Sequence, residues 1–192
     1  MTARAAASDA TARRILEAAA QLFGASLYDQ VSLQAVAERA GVTVQTVLRR
    51  FASKEGLFTA VADWTGRQIR GERDAAPIGD VAGAIRVLIE TYEQWGDQVL
   101  NRLAQEQRTP IIRAVTNVGR HNHHAWVERC FGPLLAESAP AECAQQIAQL
   151  IAVTDLYVWK LLRRDLELSR DEVEGALADL VMRIVSGGRT RG

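Results

Sequence analysis

Residues 32–54 constrain the fold more than any other stretch of the chain. Ser32 stands where a helix N-cap belongs, and Leu33, Val36, Ala37 and Ala40 recur behind it at helical spacing. Gly41 supplies the left-handed residue that ends such a helix, and Thr43 is placed to cap a second one running to Phe51. Two short helices joined by a tight turn containing glycine form a helix-turn-helix, the unit that lays its second helix in the major groove of DNA. On that second helix Val44, Val47, Leu48 and Phe51 follow i, i+3, i+4, i+7 spacing and read as the inner face. Thr43, Gln45, Thr46, Arg49 and Arg50 then point outward, hydrogen-bonding or cationic as a DNA-facing surface requires. A helical hairpin with a solvated polar face has the same spacing, so the pattern alone leaves both readings open.

Helical spacing continues through nearly all of the 192 residues. There are four prolines, and no segment shows sustained alternation of apolar and polar residues, so the expected class is all-α. The spacing predicts a first helix from about Thr11 to Ala25, with Ile15, Leu16, Ala19, Leu22 and Phe23 inward. A fourth helix, capped by Ser53, runs from Lys54 to about Arg73, and residues 74–80 read as a linker. Further helices are predicted near 81–95, 97–107, 110–136, 140–165 and 170–186. Pro110 and Pro140 fall at helix starts, and Pro133 should kink or end its helix. The expected organisation is a three-helix head over residues 1–53, a connecting helix over 54–74, and a helical bundle over 75–192.

Charge adds a weak signal to this division. Residues 1–70 hold nine Lys/Arg against six Asp/Glu, and the remainder 14 against 17, so a slightly basic front precedes a slightly acidic body. A hydrophobic share of 48% and a charged share of 24% exclude a disordered tail. Glu90, Asp155 and Lys160 interrupt the best apolar runs, so no membrane span is expected, and the polar, alanine-rich N-terminus lacks the apolar core of a secretion signal. Cys130 and Cys143 are too few and too far apart for a metal motif. A cytoplasmic protein is the expectation.

The text of the head is more specific than its spacing. Residues 14–19 read Arg-Ile-Leu-Glu-Ala-Ala and are followed by Leu22-Phe23, then Tyr28-Asp29-Gln30-Val31-Ser32. Residues 36–43 read Val-Ala-Glu-Arg-Ala-Gly-Val-Thr, and residues 46–58 Thr-Val-Leu-Arg-Arg-Phe-Ala-Ser-Lys-Glu-Gly-Leu-Phe. Unbroken and in order, residues 13–58 resemble the DNA-binding domain of the TetR family of bacterial transcription regulators. The resemblance implies an all-helical homodimer with a three-helix head and a divergent body that binds a ligand and dimerises. It also implies a repressor that releases its operator when the ligand binds. The family turns the positions of Val44 and Leu48 toward DNA and those of Val47, Arg50 and Phe51 nearer the interior, in partial conflict with the periodicity. Where the family has a tyrosine whose hydroxyl touches a phosphate, this chain has Leu48, which cannot make that bond. Lys54 resembles the family's phosphate-binding lysine, helped by backbone amides and the helix dipole. The DNA-binding candidates are therefore Ser32, Thr43, Val44, Gln45, Thr46, Leu48, Arg49, Arg50 and Lys54.

The body offers candidates of a different kind. Tyr92, Trp95, His121, Trp126, Asp155 and Trp159 are polar or aromatic residues set among apolar helices, and they are expected to line a site for a small apolar or aromatic effector. Ordinary core aromatics with satisfied partners are the alternative. Ile147, Ile151 and Val158 on one helix, with Leu177, Leu180 and Ile184 on the next, suit a dimer interface, although intramolecular core reads the same way. His121 and His124 lie one helical turn apart, yet a histidine run on a helix surface is read as solvated, so neither a metal nor a cofactor is expected. No nucleophile elbow, zinc-protease, P-loop or dinucleotide fingerprint occurs, and an enzyme has no motif support. The competing reading is a helical-bundle carrier or enzyme whose head is only structural.

Overall fold

The fold was obtained as a computed structural model that describes residues 3–187. Nine α-helices occur among them: α1 (Ala3–Ala25), α2 (Leu33–Ala40), α3 (Val44–Phe51), α4 (Lys54–Asp74), α5 (Val81–Leu103), α6 (Pro110–Phe131), α7 (Pro140–Val153), α8 (Leu156–Lys160) and α9 (Arg170–Gly187). Short 3-10 turns stand at Tyr28–Gln30 and Gly132–Leu135, a π-helical turn follows α8 at Leu161–Asp165, and no strand occurs among the described residues. The all-α expectation holds. No helix among them is long and apolar enough to cross a membrane.

The ends of the helices obey local chemistry. Ser32 Oγ accepts from the Ala35 amide at 3.1 Å and Thr43 Oγ1 from the Thr46 amide at 3.2 Å, while Gly41 takes φ +63°. Ser169 and Glu172 bond reciprocally at the start of α9, a capping box that satisfies two otherwise orphaned amides. Helix α1 begins at Ala3 rather than near Thr11, because alanines favour helix and Thr11 Oγ1 donates back to the Ala7 carbonyl instead of capping.

Three further predicted boundaries differ from those observed. The break expected between residues 95 and 97 does not exist, and α5 is continuous through Gly96. A Cβ there would stand 2.6 Å from the Trp159 ring, so this glycine serves close packing and not a turn. Helix α6 ends at Phe131 and hands over to the 3-10 turn that contains Pro133, as a proline in that place dictates. The helix predicted over 140–165 is broken instead at Thr154–Asp155, where Asp155 Oδ1 accepts from the Tyr157 amide at 2.8 Å and starts α8.

The helices form two compact units. One takes in the chain up to Gln68 together with Asp97–Asn117, the other Ile69–Gly96 and the chain from Val118 onward. The first unit is thus more than residues 1–53. Asn101 Nδ2 donates to the carbonyls of Phe23, Gly24 and Ser26 at 3.0–3.3 Å, closing the end of α1, and Gln105 Oε1 accepts from the Tyr28 amide at 2.7 Å. Its core joins Ile15, Phe23, Tyr28, Val36, Val47, Leu57, Phe58, Val61 and Ile112. Phe23, Tyr28 and Phe58 meet with ring centroids 5.1–5.7 Å apart.

In the second unit α7 packs on α9. The inward stripe of α9 is Val173, Leu177, Val181 and Val185, and Gln146 Nε2 donates to the Ile184 carbonyl at 3.0 Å. This corrects the expectation for Leu177. It is fully buried inside its own chain, whereas Leu180, one turn along, is 41% exposed. Ile147, Ile151, Val158 and Ile184 are half-buried.

Candidate nucleic-acid interface and ligand site

Helix α3 is held by its apolar side and leaves its polar side outward. Val47 is fully buried, and Val44 and Phe51 pack partly buried against the head core, while Gln45 and Arg49 are exposed. Leu48 is 40% exposed, so the inner stripe read from periodicity is split. At about 100° per residue, Val47, Phe51 and Val44 span roughly 60° of the helix surface and Leu48 lies about 40° beyond them. An eight-residue helix seated on a narrow contact buries only the centre of its stripe.

The other head candidates carry distinct tasks. Ser32 and Thr43 are exposed caps, and the Thr43 and Thr46 hydroxyls also bond each other at 3.0 Å. Arg50 is half-buried and donates through Nη2 to Ser8 Oγ at 2.9 Å, tying α3 to α1. Lys54 Nζ stands 4.5 Å above the Tyr28 ring and donates to the Asp29 carbonyl at 3.4 Å, so the turn at Tyr28–Gln30 holds its ammonium. Burial, with Glu55 nearby, pushes the Tyr28 phenol up to about 12.

A strained corner joins α3 to α4. Ala52 has φ +63°, Ser53 Oγ accepts from the Gly56 amide at 3.0 Å, and a Cβ at Gly56 would run into the Phe51 carbonyl oxygen. Only glycine at 56 lets the last turn of α3 sit this close to the first turn of α4. Sequence reading had passed over this residue except as part of a motif.

The head is similar to known proteins. Residues 15–61 match the family model of the bacterial regulatory proteins, tetR family. The HTH-type transcriptional regulatory protein RaaS of Mycobacterium tuberculosis is 44% identical over 70 residues, 36% of this chain. The chain spans about a third of that relative, 32% of its length. The likeness in fold extends beyond the head. A transcriptional regulator from Rhodococcus sp. Rha1 superposes with TM-score 0.72 at 16% identity, over 94% of this chain and 99% of its own. The multidrug binding protein EbrR, solved with imidazole, superposes with TM-score 0.59 at 22% identity, over 88% of each chain. At these identities the likeness establishes the fold alone.

Beyond the matched residues, the second unit gathers some of the expected ligand residues and disperses others. Tyr92, Trp126 and Trp159 are buried. The Tyr92 and Trp159 ring centroids are 5.8 Å apart, and Tyr92 donates through its hydroxyl to the Thr154 carbonyl at 2.8 Å. Trp159 Nε1 donates to Glu93 and Trp95 Nε1 to Glu72, both at 3.0 Å, so each indole N–H is already committed. Asp155 is the α8 cap described above. His121 is exposed, and the buried histidine of the run is His123, which stacks on Trp126 at 6.0 Å.

Two residues of this group went unread in the sequence. Arg73 places its guanidinium carbon 5.1 Å from the Tyr92 ring and 5.6 Å from Trp126. His123 was legible, because Ile112, Thr116, His123, Trp126, Val127 and Cys130 continue one helical stripe. Burial, then the Arg73 charge, holds the His123 imidazole down at about 3, so it is neutral. Among the described residues no three His, Cys, Asp or Glu side chains stand together as a metal site, and His121 and His124 are both exposed.

Proposed function

We propose that the protein is a DNA-binding transcription regulator, a homodimeric repressor that releases its operator on binding a small apolar or aromatic molecule. One observation carries the reading: α3, anchored by buried Val47, presents exposed Gln45 and Arg49 inside a TetR-family head. Arg49 reads a base edge or a phosphate, Gln45, Thr43 and Thr46 support it, and Ser32, Val44, Leu48 and Arg50 border the contact. Lys54 binds a phosphate, which positions the head without reading sequence. Residues 1–53 do the DNA work, α4 connects, and residues 75–192 take the effector and the second subunit. The shared fold with a multidrug binding protein supports the effector. Tyr92, Trp95, Trp126 and Trp159 supply the aromatic surroundings. Repression by such a protein is a cytoplasmic task and involves no catalysis.

A gel-shift with the promoter region beside the protein's own gene tests this. Competitor-resistant binding that weakens steeply with salt is expected. Retardation abolished by bulk competitor DNA would refute it and favour a helical-bundle carrier or enzyme with a structural head.

A further inference from the structure

The second unit contains a guanidinium that its surroundings do not neutralise. Arg73 Nη1 lies 3.4 Å from His123 Nδ1. Arginine only donates, so Nδ1 of the neutral ring is the acceptor and Nε2 carries the proton. Nε2 is 3.2 Å from Thr154 Oγ1, whose hydroxyl donates onward to the Leu150 carbonyl at 2.6 Å. This chain of bonds ends on a carbonyl and not on an acid, and Arg73 takes part in none of the ion pairs among the described residues. Two buried donors are left over. Arg73 Nε and Trp126 Nε1 have no acceptor among the described residues, although buried polar groups are nearly always partnered. They belong to neighbouring side chains, with the Arg73 guanidinium carbon 5.6 Å from the Trp126 ring centroid. Arg129 adds a second cation nearby, donating to the Arg73 and Ala76 carbonyls at 2.8 and 3.3 Å. Asp155 adds an acid whose charge reaches the Tyr92 phenol and whose Oδ1 is committed to the α8 cap.

We propose that Arg73 and Trp126 form the acceptor-binding end of the effector site, and that the effector is an aromatic carboxylate. A carboxylate has two oxygens, one for each leftover donor, and its charge is opposite to that of the guanidinium. Its planar body packs edge-on against the Trp126 and Tyr92 rings, whose faces His123 and Arg73 already cover. The proposal deepens the regulator reading by giving the effector a chemical class, and ligand binding is measured apart from DNA release.

The test titrates the purified full chain with phenylacetate, indole-3-acetate and 2-naphthoate, and with the primary amide of each, by calorimetry. At least one acid should bind tighter than its amide by about tenfold or more. Arg73→Gln should erase that preference, and Trp126→Phe should weaken the acid severalfold. Asp155→Asn, which keeps the helix cap, should tighten the acid and leave the amide unchanged, so the sign of the charge effect survives even where Arg73→Gln fails to fold. Binding of none of the acids, equal binding of acid and amide, or a preference that persists in Arg73→Gln overturns the proposal, and a water then occupies the two donors. Gel-shifts run in parallel separate the two levels. An acid that binds without changing operator affinity upholds the site and refutes the switch; specific DNA binding with no acid bound refutes the site and leaves the regulator.

Discussion

Two glycines of α4 make a matched experiment. Gly56 and Gly71 lie in the same helix, and alanine in a helix interior is favoured over glycine by about 0.8–1.0 kcal/mol. A Cβ on Gly71 meets nothing within 4 Å, so Gly71→Ala should realise that gain in full. For a chain of this length it amounts to a rise of about 2–4 °C in Tm. A Cβ on Gly56 collides with the Phe51 carbonyl oxygen and stands 3.3 Å from its carbon, both of them backbone atoms. Relief requires the last turn of α3 to retreat by about 1 Å, against a corner already held by Ala52 at φ +63° and a Ser53–Phe51 backbone bond of 2.7 Å. Loss of the Ser53 cap alone is about 1 kcal/mol, and added backbone strain contributes about 1–3. Set against the intrinsic gain, Gly56→Ala should lose about 1–3 kcal/mol, and Tm should fall by about 2–12 °C. Because α3 carries Gln45 and Arg49, operator affinity should fall with it and remain unchanged in Gly71→Ala. Urea and thermal unfolding with gel-shifts on both variants decide the matter. Equal stabilisation by the two alanines would refute the packing account of the corner.

Three further outcomes are expected. Arg49→Ala should weaken operator binding by about 1–3 kcal/mol if it reads a base in bidentate fashion, while Lys54→Ala should weaken binding to all sequences and flatten the salt slope; unchanged affinity in both, with intact circular dichroism, removes α3 and the α4 start as the contact. Leu177→Asp should unfold the subunit whatever its oligomeric state, since Leu177 is fully buried, so the dimer is tested by Leu180→Asp alone: light scattering should report monomers, and a dimer of normal stability places the interface elsewhere. His123 binds its proton at about 3 when folded and at about 6.5 when unfolded, so between those values the unfolded chain holds more protons and stability falls as pH falls. The loss at pH 5 relative to pH 7 is about 2 kcal/mol; urea unfolding should show this slope in the wild type and a flatter one in His123→Gln, and equal slopes would assign the acid sensitivity to other groups.

What was legible in the sequence is what is determined over a few residues. Ser32, Gly41 and Thr43 act on amides and carbonyls within four positions of themselves, so spacing alone located α2, the turn and α3. Leu48 shows the limit of that method, since whether the edge of an apolar stripe is covered depends on how wide the neighbouring surface is. Gly96 read as a break because helix propensity is local, whereas the Trp159 ring that requires it is 63 residues away in sequence. Asp155 fits a pocket acid and an N-cap equally well until the chain before it is seen to turn. Arg73 resembles a solvated cation complementing the C-terminal end of α4. Its burial against Tyr92 and Trp126 comes from two other helices.

The proposed reading of α3 has an energetic consequence for assembly. A base contact contributes about 1–3 kcal/mol of discrimination, and α3 exposes few side chains able to make one, chiefly Gln45 and Arg49. One head therefore supplies roughly 2–6 kcal/mol, whereas specific DNA binding needs about 4–10 kcal/mol over non-specific binding. Leu48, lacking a hydroxyl, adds nothing at a phosphate. Two heads on two half-sites double the first figure and meet the second, so under that reading the paucity of α3 itself calls for a second subunit. The same sum sets how a switch must work. An effector need not strip every contact from both heads; displacing one α3 from its half-site removes about 2–6 kcal/mol and leaves only the single-head figure of roughly 2–6 kcal/mol over non-specific binding.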